Sequence, residues 1–158
     1  MSFPQIRHCL VCENVRPELS GLTTMVGFYG IAPDVRIKIP DFAQPLPGIA
    51  FLLIGNETGE GDFEVQFRLS DSTPNTIVEV PASRVCLPAG TDRFNMGVMV
   101  TGLKLPRPGR YTVSLLVNGL THFQTTFDAE QAGVPPQPGQ QFVHPLNRPP
   151  SGSDQRPI

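Results

Sequence analysis

The stretch Phe63-Glu-Val-Gln-Phe-Arg-Leu69 alternates apolar and polar residues without a break. A period of two puts Phe63, Val65, Phe67 and Leu69 on one face of a strand and Glu64, Gln66 and Arg68 on the other. Tyr111, Val113, Leu115 and Val117 repeat the pattern and run into Asn118-Gly119, a dipeptide suited to the positive φ angles of a tight hairpin. A return strand follows through Phe123, Thr125 and Phe127, and Phe94, Met96, Val98 and Val100 form another alternating row. Shorter strand candidates lie at 6–12, 22–31, 35–39, 49–55 and 76–80. Gly, Pro, Asn and Asp separate these segments, and no stretch of about ten residues carries a helical period. The pattern predicts an all-β chain of about eight or nine strands, folded as an antiparallel β-sandwich.

The alternation stops near Asp128. Seven prolines fall in residues 129–158, a composition that cannot bury enough apolar surface to offset its ordering entropy. The expected division is therefore a sandwich domain over 1–128 and a Pro-rich tail over 129–158. Within the domain, PRPGRYTVSLLVNG (106–119) resembles the penultimate strand of immunoglobulin-like sandwiches, where a Pro-Gly turn delivers a Tyr into a long alternating strand. That resemblance implies an immunoglobulin-like or related sandwich.

Charge narrows the partners. The 158 residues sum to a net charge of −2, with only Lys38 and Lys104 as lysines and no run of arginines, which argues against nucleic acid. The opening MSFPQIRHCL is not a secretory signal, and IAFLLIG (49–55), the longest apolar run, is strand length rather than the roughly 18 residues of a bilayer span. Three cysteines, an odd number, point to free thiols in a reducing compartment. The expectation is a cytoplasmic protein without a membrane partner.

Cys9 and Cys12 have the C-x-x-C spacing of thiol and zinc sites. On a strand, residues three apart face opposite sides of the sheet about 10 Å apart, so the pair can neither share an ion nor close a disulfide. Leu10 and Val11 between them favour a strand, and Cys86 stands alone. Structural cysteines follow, with no metal and no cofactor. GNETGEGDF (55–63) gathers Asn56, Glu57, Glu60 and Asp62 around three glycines. It lacks the Asp-x-Asp-x-Asp-Gly register of a calcium loop and is expected to be a solvated hairpin turn, with a calcium or small-ligand module at 55–62 as the alternative function. No nucleophile elbow, zinc-protease or P-loop motif is present, and His8, His122 and His144 are dispersed. A hydrolase assembled in space from scattered side chains is the third reading; the first is not an enzyme.

The most informative segment is CENVRPELSGLTTMVGFYG (12–30). It places Glu13, Asn14, Arg16 and Glu18 in what reads as a loop closed by Gly21. Either Arg16 bridges the two carboxylates as a brace, or these four residues form a polar recognition patch at one end of a rigid sandwich. The segment resembles the opening of a family of small uncharacterised bacterial proteins with the pattern Cys, acidic, Asp or Asn, Val or Ile, Arg, x, Glu, a Gly-Lys pair and a Leu-x-Gly-x-Tyr strand. Here Leu22 stands where that family has Lys. The resemblance implies that Cys12, Glu13, Asn14, Arg16, Glu18 and Gly21 form one unit and that the setting is bacterial and cytoplasmic; it implies no reaction. The function expected from the sequence is a non-catalytic domain that binds another protein.

Overall fold

The computed structural model describes residues 2–20, 22–55, 58–91 and 93–133, and every regular element among them is a strand. Ten strands form two sheets: β1 (Ile6–Pro17), β2 (Thr23–Ile31), β3 (Arg36–Ile39), β4 (Ile49–Gly55), β5 (Gly59–Asp71), β6 (Thr76–Glu79), β7 (Ser83–Thr91), β8 (Phe94–Val100), β9 (Gly109–Val117) and β10 (Leu120–Gln131). One sheet runs β2-β1-β4-β8; the other runs β3-β10-β9-β5-β6, with β7 on the remaining length of β5. All pairings are antiparallel except β3 with β10.

The alternating rows do what their period requires. Phe63, Val65, Phe67 and Leu69 are buried, as are Tyr111, Val113, Leu115 and Val117. They meet Cys9, Val11, Phe51 and Leu53 of the opposite sheet in one core. Phe51 spans the layers, with its ring centroid 5.1 Å from that of Phe67 and 5.9 Å from that of Phe127. Asn118 and Gly119 take φ of 50° and 78°, the left-handed pair that a two-residue hairpin needs. Phe3 closes one end of the core, edge-on to Phe63, Phe94 and His122.

Two buried polar groups tie the loops down. The Tyr111 hydroxyl donates to the Arg107 carbonyl four residues upstream, beneath the Pro-Gly turn. Asp71 accepts from the Thr73 hydroxyl at 2.7 Å and from the backbone N–H groups of Thr73 and Asn75 at 2.9 and 3.1 Å, with Arg107 Nη2 at 3.4 Å. The Thr73 hydrogen bond is foremost in holding this carboxyl below the usual carboxylate range.

Three details depart from the sequence reading. The strand count among the described residues is ten, because β7 (SRVCLPAGT) is a strand that Pro88 and Gly90 conceal; only Val85 and Leu87 turn inward. Second, β10 continues to Gln131, three residues past the expected boundary at Asp128, because Ala129, Glu130 and Gln131 pair with Ile37, Lys38 and Ile39 of β3. The Pro-rich segment from 134 onward lies outside the described residues. Third, the glycine-rich 55–62 segment is not all turn. Gly59, Gly61 and Asp62 pair with Thr91, Leu87 and Cys86, so Glu60 and Asp62 stand in β5, while Asn56 and Glu57 lie outside the described residues.

Candidate functional site

Residues 13–17 form a strand, not a loop, and Glu18 opens the turn after it. β1 runs on to Pro17, and β2 pairs with its whole far half: Asn14 with Val26, Val15 with Met25, Arg16 with Thr24 and Pro17 with Thr23. The Glu18 N–H donates to the Leu22 carbonyl at 2.8 Å and closes the turn of this ribbon. β4 pairs only as far as Cys12, so beyond that residue the ribbon has no neighbour within the sheet and leans across the outside of β4. Val15 Cγ1 approaches to 3.9 Å from where a Cβ on Gly97 of β8 would lie, although β4 separates the two strands in the sheet. This crossing explains why Ala50 and Cys12, on the outer side of the sheet, are fully buried.

Under the ribbon lies a hollow of about 370 Å³. Glu13, Asn14 and Arg16 line it together with Val26, Tyr29, Leu46, Pro47 and Met99. Three of the four residues singled out in the sequence therefore share one depression, and Glu18 stands apart at the turn. Arg16 is not the brace between carboxylates: among the described residues it forms no ion pair with Glu13 or Glu18. Glu13 is held from β2 instead. The Tyr29 hydroxyl donates to Glu13 Oε1 at 3.4 Å, and the Glu13 side chain lies over Gly27 so closely that a Cβ there would come within 2.4 Å of Glu13 Cδ. Gly27 has φ +64°, which L residues with side chains rarely adopt. Burial and then the adjacent Glu13 carboxylate push the Tyr29 phenol above its ordinary range.

The sequence did not single out the surface around this hollow. Among the described residues nine large hydrophobic side chains are exposed, and seven of them (Leu19, Leu22, Met25, Val26, Phe28, Tyr29 and Ile31) belong to β2 and the turn before it. The signal was present in TTMVGFYGI, which is apolar at successive positions rather than alternate ones. That run reads equally well as a strand buried on both faces.

Cys9 points into the core and Cys12 to the outer side of the sheet; both are buried. Burial pushes the Cys9 thiol up to about 12. The Cys12 thiol lies near the carbonyls of Asn14 (3.4 Å) and Ala50 (3.9 Å), and burial is foremost in raising it too. Cys86 is exposed beside Asp62, whose hydrogen bond raises that thiol. A thiol-specific colorimetric reagent should thus titrate one cysteine in the native protein and three in denaturant, with Cys86→Ser removing the native signal. Rapid native labelling of two or more thiols would show that the opening cysteines are not packed as described.

The remaining candidates are not drawn together. His122 Nε2 lies 2.9 Å from the Pro4 carbonyl oxygen and its ring packs on Phe3, His8 is exposed on β1, and His144 lies outside the described residues. No group of three or more His, Cys, Asp and Glu among the described residues is arranged to hold a metal ion. A second cavity, of about 610 Å³, opens between Tyr29, Asp34, Arg36, Arg110, Thr126 and Asp128. Most of its charges are paired: Arg110 grips Asp128 at 3.0 and 3.3 Å, which holds that carboxyl below its usual range, and Arg36 lies 3.8 Å from Glu130. No helix of the described residues is long and apolar enough to cross a membrane.

No protein-family model matches this chain, and no curated protein matches it. Among solved structures it is similar to part of the alkylpurine DNA glycosylase AlkC of Pseudomonas fluorescens bound to DNA containing an abasic site analog, at 17% identity and a TM-score of 0.39. That match covers 64% of this chain and 29% of the other. Two structures of a glycosyl hydrolase family 2 member from Bacteroides cellulosilyticus are similar at 15% and 14% identity, with TM-scores of 0.42 and 0.40. Each covers 66% of this chain, which spans only 16% and 17% of theirs. At these scores the likeness assigns neither activity nor ligand to this chain.

Proposed function

We propose that this chain is a non-catalytic, immunoglobulin-like domain that binds another protein through the β1–β2 ribbon. The immunoglobulin-like assignment is supported by strand order. β1-β4-β8 packs against β10-β9-β5, β3 joins β10 in parallel, and the Tyr111–Arg107 bond has the form of a tyrosine corner. The segment that resembles the small bacterial family is the ribbon itself, with Glu13, Gly27 and Tyr29 interlocked, so membership in that family belongs to the same proposal. Free cysteines, two of them buried, support a reducing compartment such as the cytoplasm.

The observation that carries the binding reading is Arg16. It lines the ribbon hollow without an ion-pair partner among the described residues, beside the half-open apolar Val26 and Met99. An arginine next to an apolar hollow suits a partner segment that offers a carboxylate and an adjoining hydrophobic side chain. Immobilised protein should recover a discrete partner from native extract, and Arg16→Ala should lose it while melting within about a degree of the parent. Arg68→Ala, on the opposite sheet, should retain it. Full partner recovery by folded Arg16→Ala would overturn the reading.

A further inference from the structure

We infer that the free edge of β2 pairs antiparallel with β2 of a second copy of this chain, joining two four-stranded sheets across a twofold axis at Met25. The backbone sets the geometry. The bond from Glu18 N–H to the Leu22 carbonyl makes 18/22 a hydrogen-bonded pair, and such pairs alternate along an antiparallel ladder. Arg16/Thr24 and Asn14/Val26 are then bonded pairs, whereas Pro17/Thr23, which includes a residue without an N–H, is not. Thr23 and Met25 therefore turn their N–H and C=O groups away from β1, toward the open edge. A twofold at Met25 bonds Met25 to Met25 of the other copy and sets Thr23 opposite Gly27, where a φ of +64° ends the extended stretch.

The same register matches the side chains. It sets Leu22 opposite Phe28 of the other copy, two residues that are 70% and 54% exposed in the single chain. No charged residue occurs from Leu19 to Pro33, so the axis brings no like charges together. The exposed apolar side chains Leu19, Leu22, Met25, Phe28 and Ile31 flank this edge, and a second copy paired along it would cover part of each. The other sheet edges carry the usual protections: β3 is four residues long with Arg36 and Lys38, β6 is equally short, and β7 has Arg84 and Pro88. β8 is crossed by the ribbon at Gly97. β2 has neither charge nor proline, and a second copy supplies what it lacks.

Light scattering coupled to gel filtration should give twice the chain mass at micromolar concentration. Met25→Lys places two charges on the axis and should give the single-chain mass, with a cooperative melt that no longer depends on protein concentration. In a Cys86→Ser background, Met25→Cys should form an intermolecular disulfide under mild oxidation, because a hydrogen-bonded antiparallel pair holds Cα atoms about 5.5 Å apart. Leu120→Cys, exposed on the other sheet, should not. A protein that stays at single-chain mass up to high concentration and resists the Met25→Cys cross-link overturns the inference. So does a dimer that survives Met25→Lys. Arg16→Ala should leave the dimer intact, so the partner surface and the self-pairing edge fail separately.

Discussion

Replacing Phe67 with alanine should lower the stability of the domain by about 3–5 kcal/mol, as a cavity opens where its ring meets Phe51 across the two sheets. Phe67 is 2% exposed, and no flexible neighbour is placed to fill the space, since Phe51, Leu69 and Leu115 around it are themselves fully buried. Arg68 is the adjacent residue on the same strand and faces the other way. Its guanidinium meets Glu79 at 3.0 Å with both side chains more than a third exposed, so Arg68→Ala should cost less than about 1 kcal/mol. Urea unfolding of both variants checks the prediction. The contrast tests the register of β5, because a slip of one residue exchanges the buried and exposed sets. Equal losses would mean that the strand is turned over.

The second large effect is expected at Gly27. Gly27→Ala should cost about 2 kcal/mol: roughly 1–2 for placing a side chain at positive φ, and a further part for the hydrogen bond lost when Glu13 is pushed off Tyr29. Gly102 supplies the control, since it has the same φ of +64° with nothing within 4 Å of its Cβ position. Gly102→Ala pays the backbone term alone, and the difference between the two variants isolates the Glu13 contact. Absorbance titration gives an independent readout. The Glu13 carboxylate disfavours the nearby phenolate, so displacing it in Gly27→Ala, or neutralising it in Glu13→Gln, should move the Tyr29 titration to lower pH. An unchanged tyrosine titration in both variants would mean that Glu13 does not sit against Tyr29.

The two predictions sample different levels of information. The Phe67 register was legible in the sequence because a strand's side chains alternate strictly, and four apolar residues in a row of seven leave only one face to bury. The Asn118-Gly119 turn was legible for a similarly local reason, since few dipeptides accept two positive φ angles. β7 escaped because Pro88 and Gly90 break its alternation, and its pairing with β5 is decided by β5's length rather than by its own residues. Local composition therefore determined the all-β class, most of the strands and the core rows of β5 and β9.

The ribbon had to come from tertiary structure. Glu13, Asn14 and Arg16 were recognisable as an unusual group, but their meaning depends on residues distant in the sequence. Glu13 is positioned by Gly27 and Tyr29, and the hollow beside Arg16 is completed by Val26 and Met99. The cluster of Glu, Arg and Glu suggested ion pairs, whereas the ladder with β2 sets Asn14 and Arg16 opposite Val26 and Thr24 and leaves Arg16 without an ion-pair partner among the described residues. Most of all, the run TTMVGFYGI cannot say whether a sheet covers it. An apolar strand in the middle of a sheet and one at its edge have the same local sequence. Only strand order, which places β2 outermost, turns those residues from core into surface.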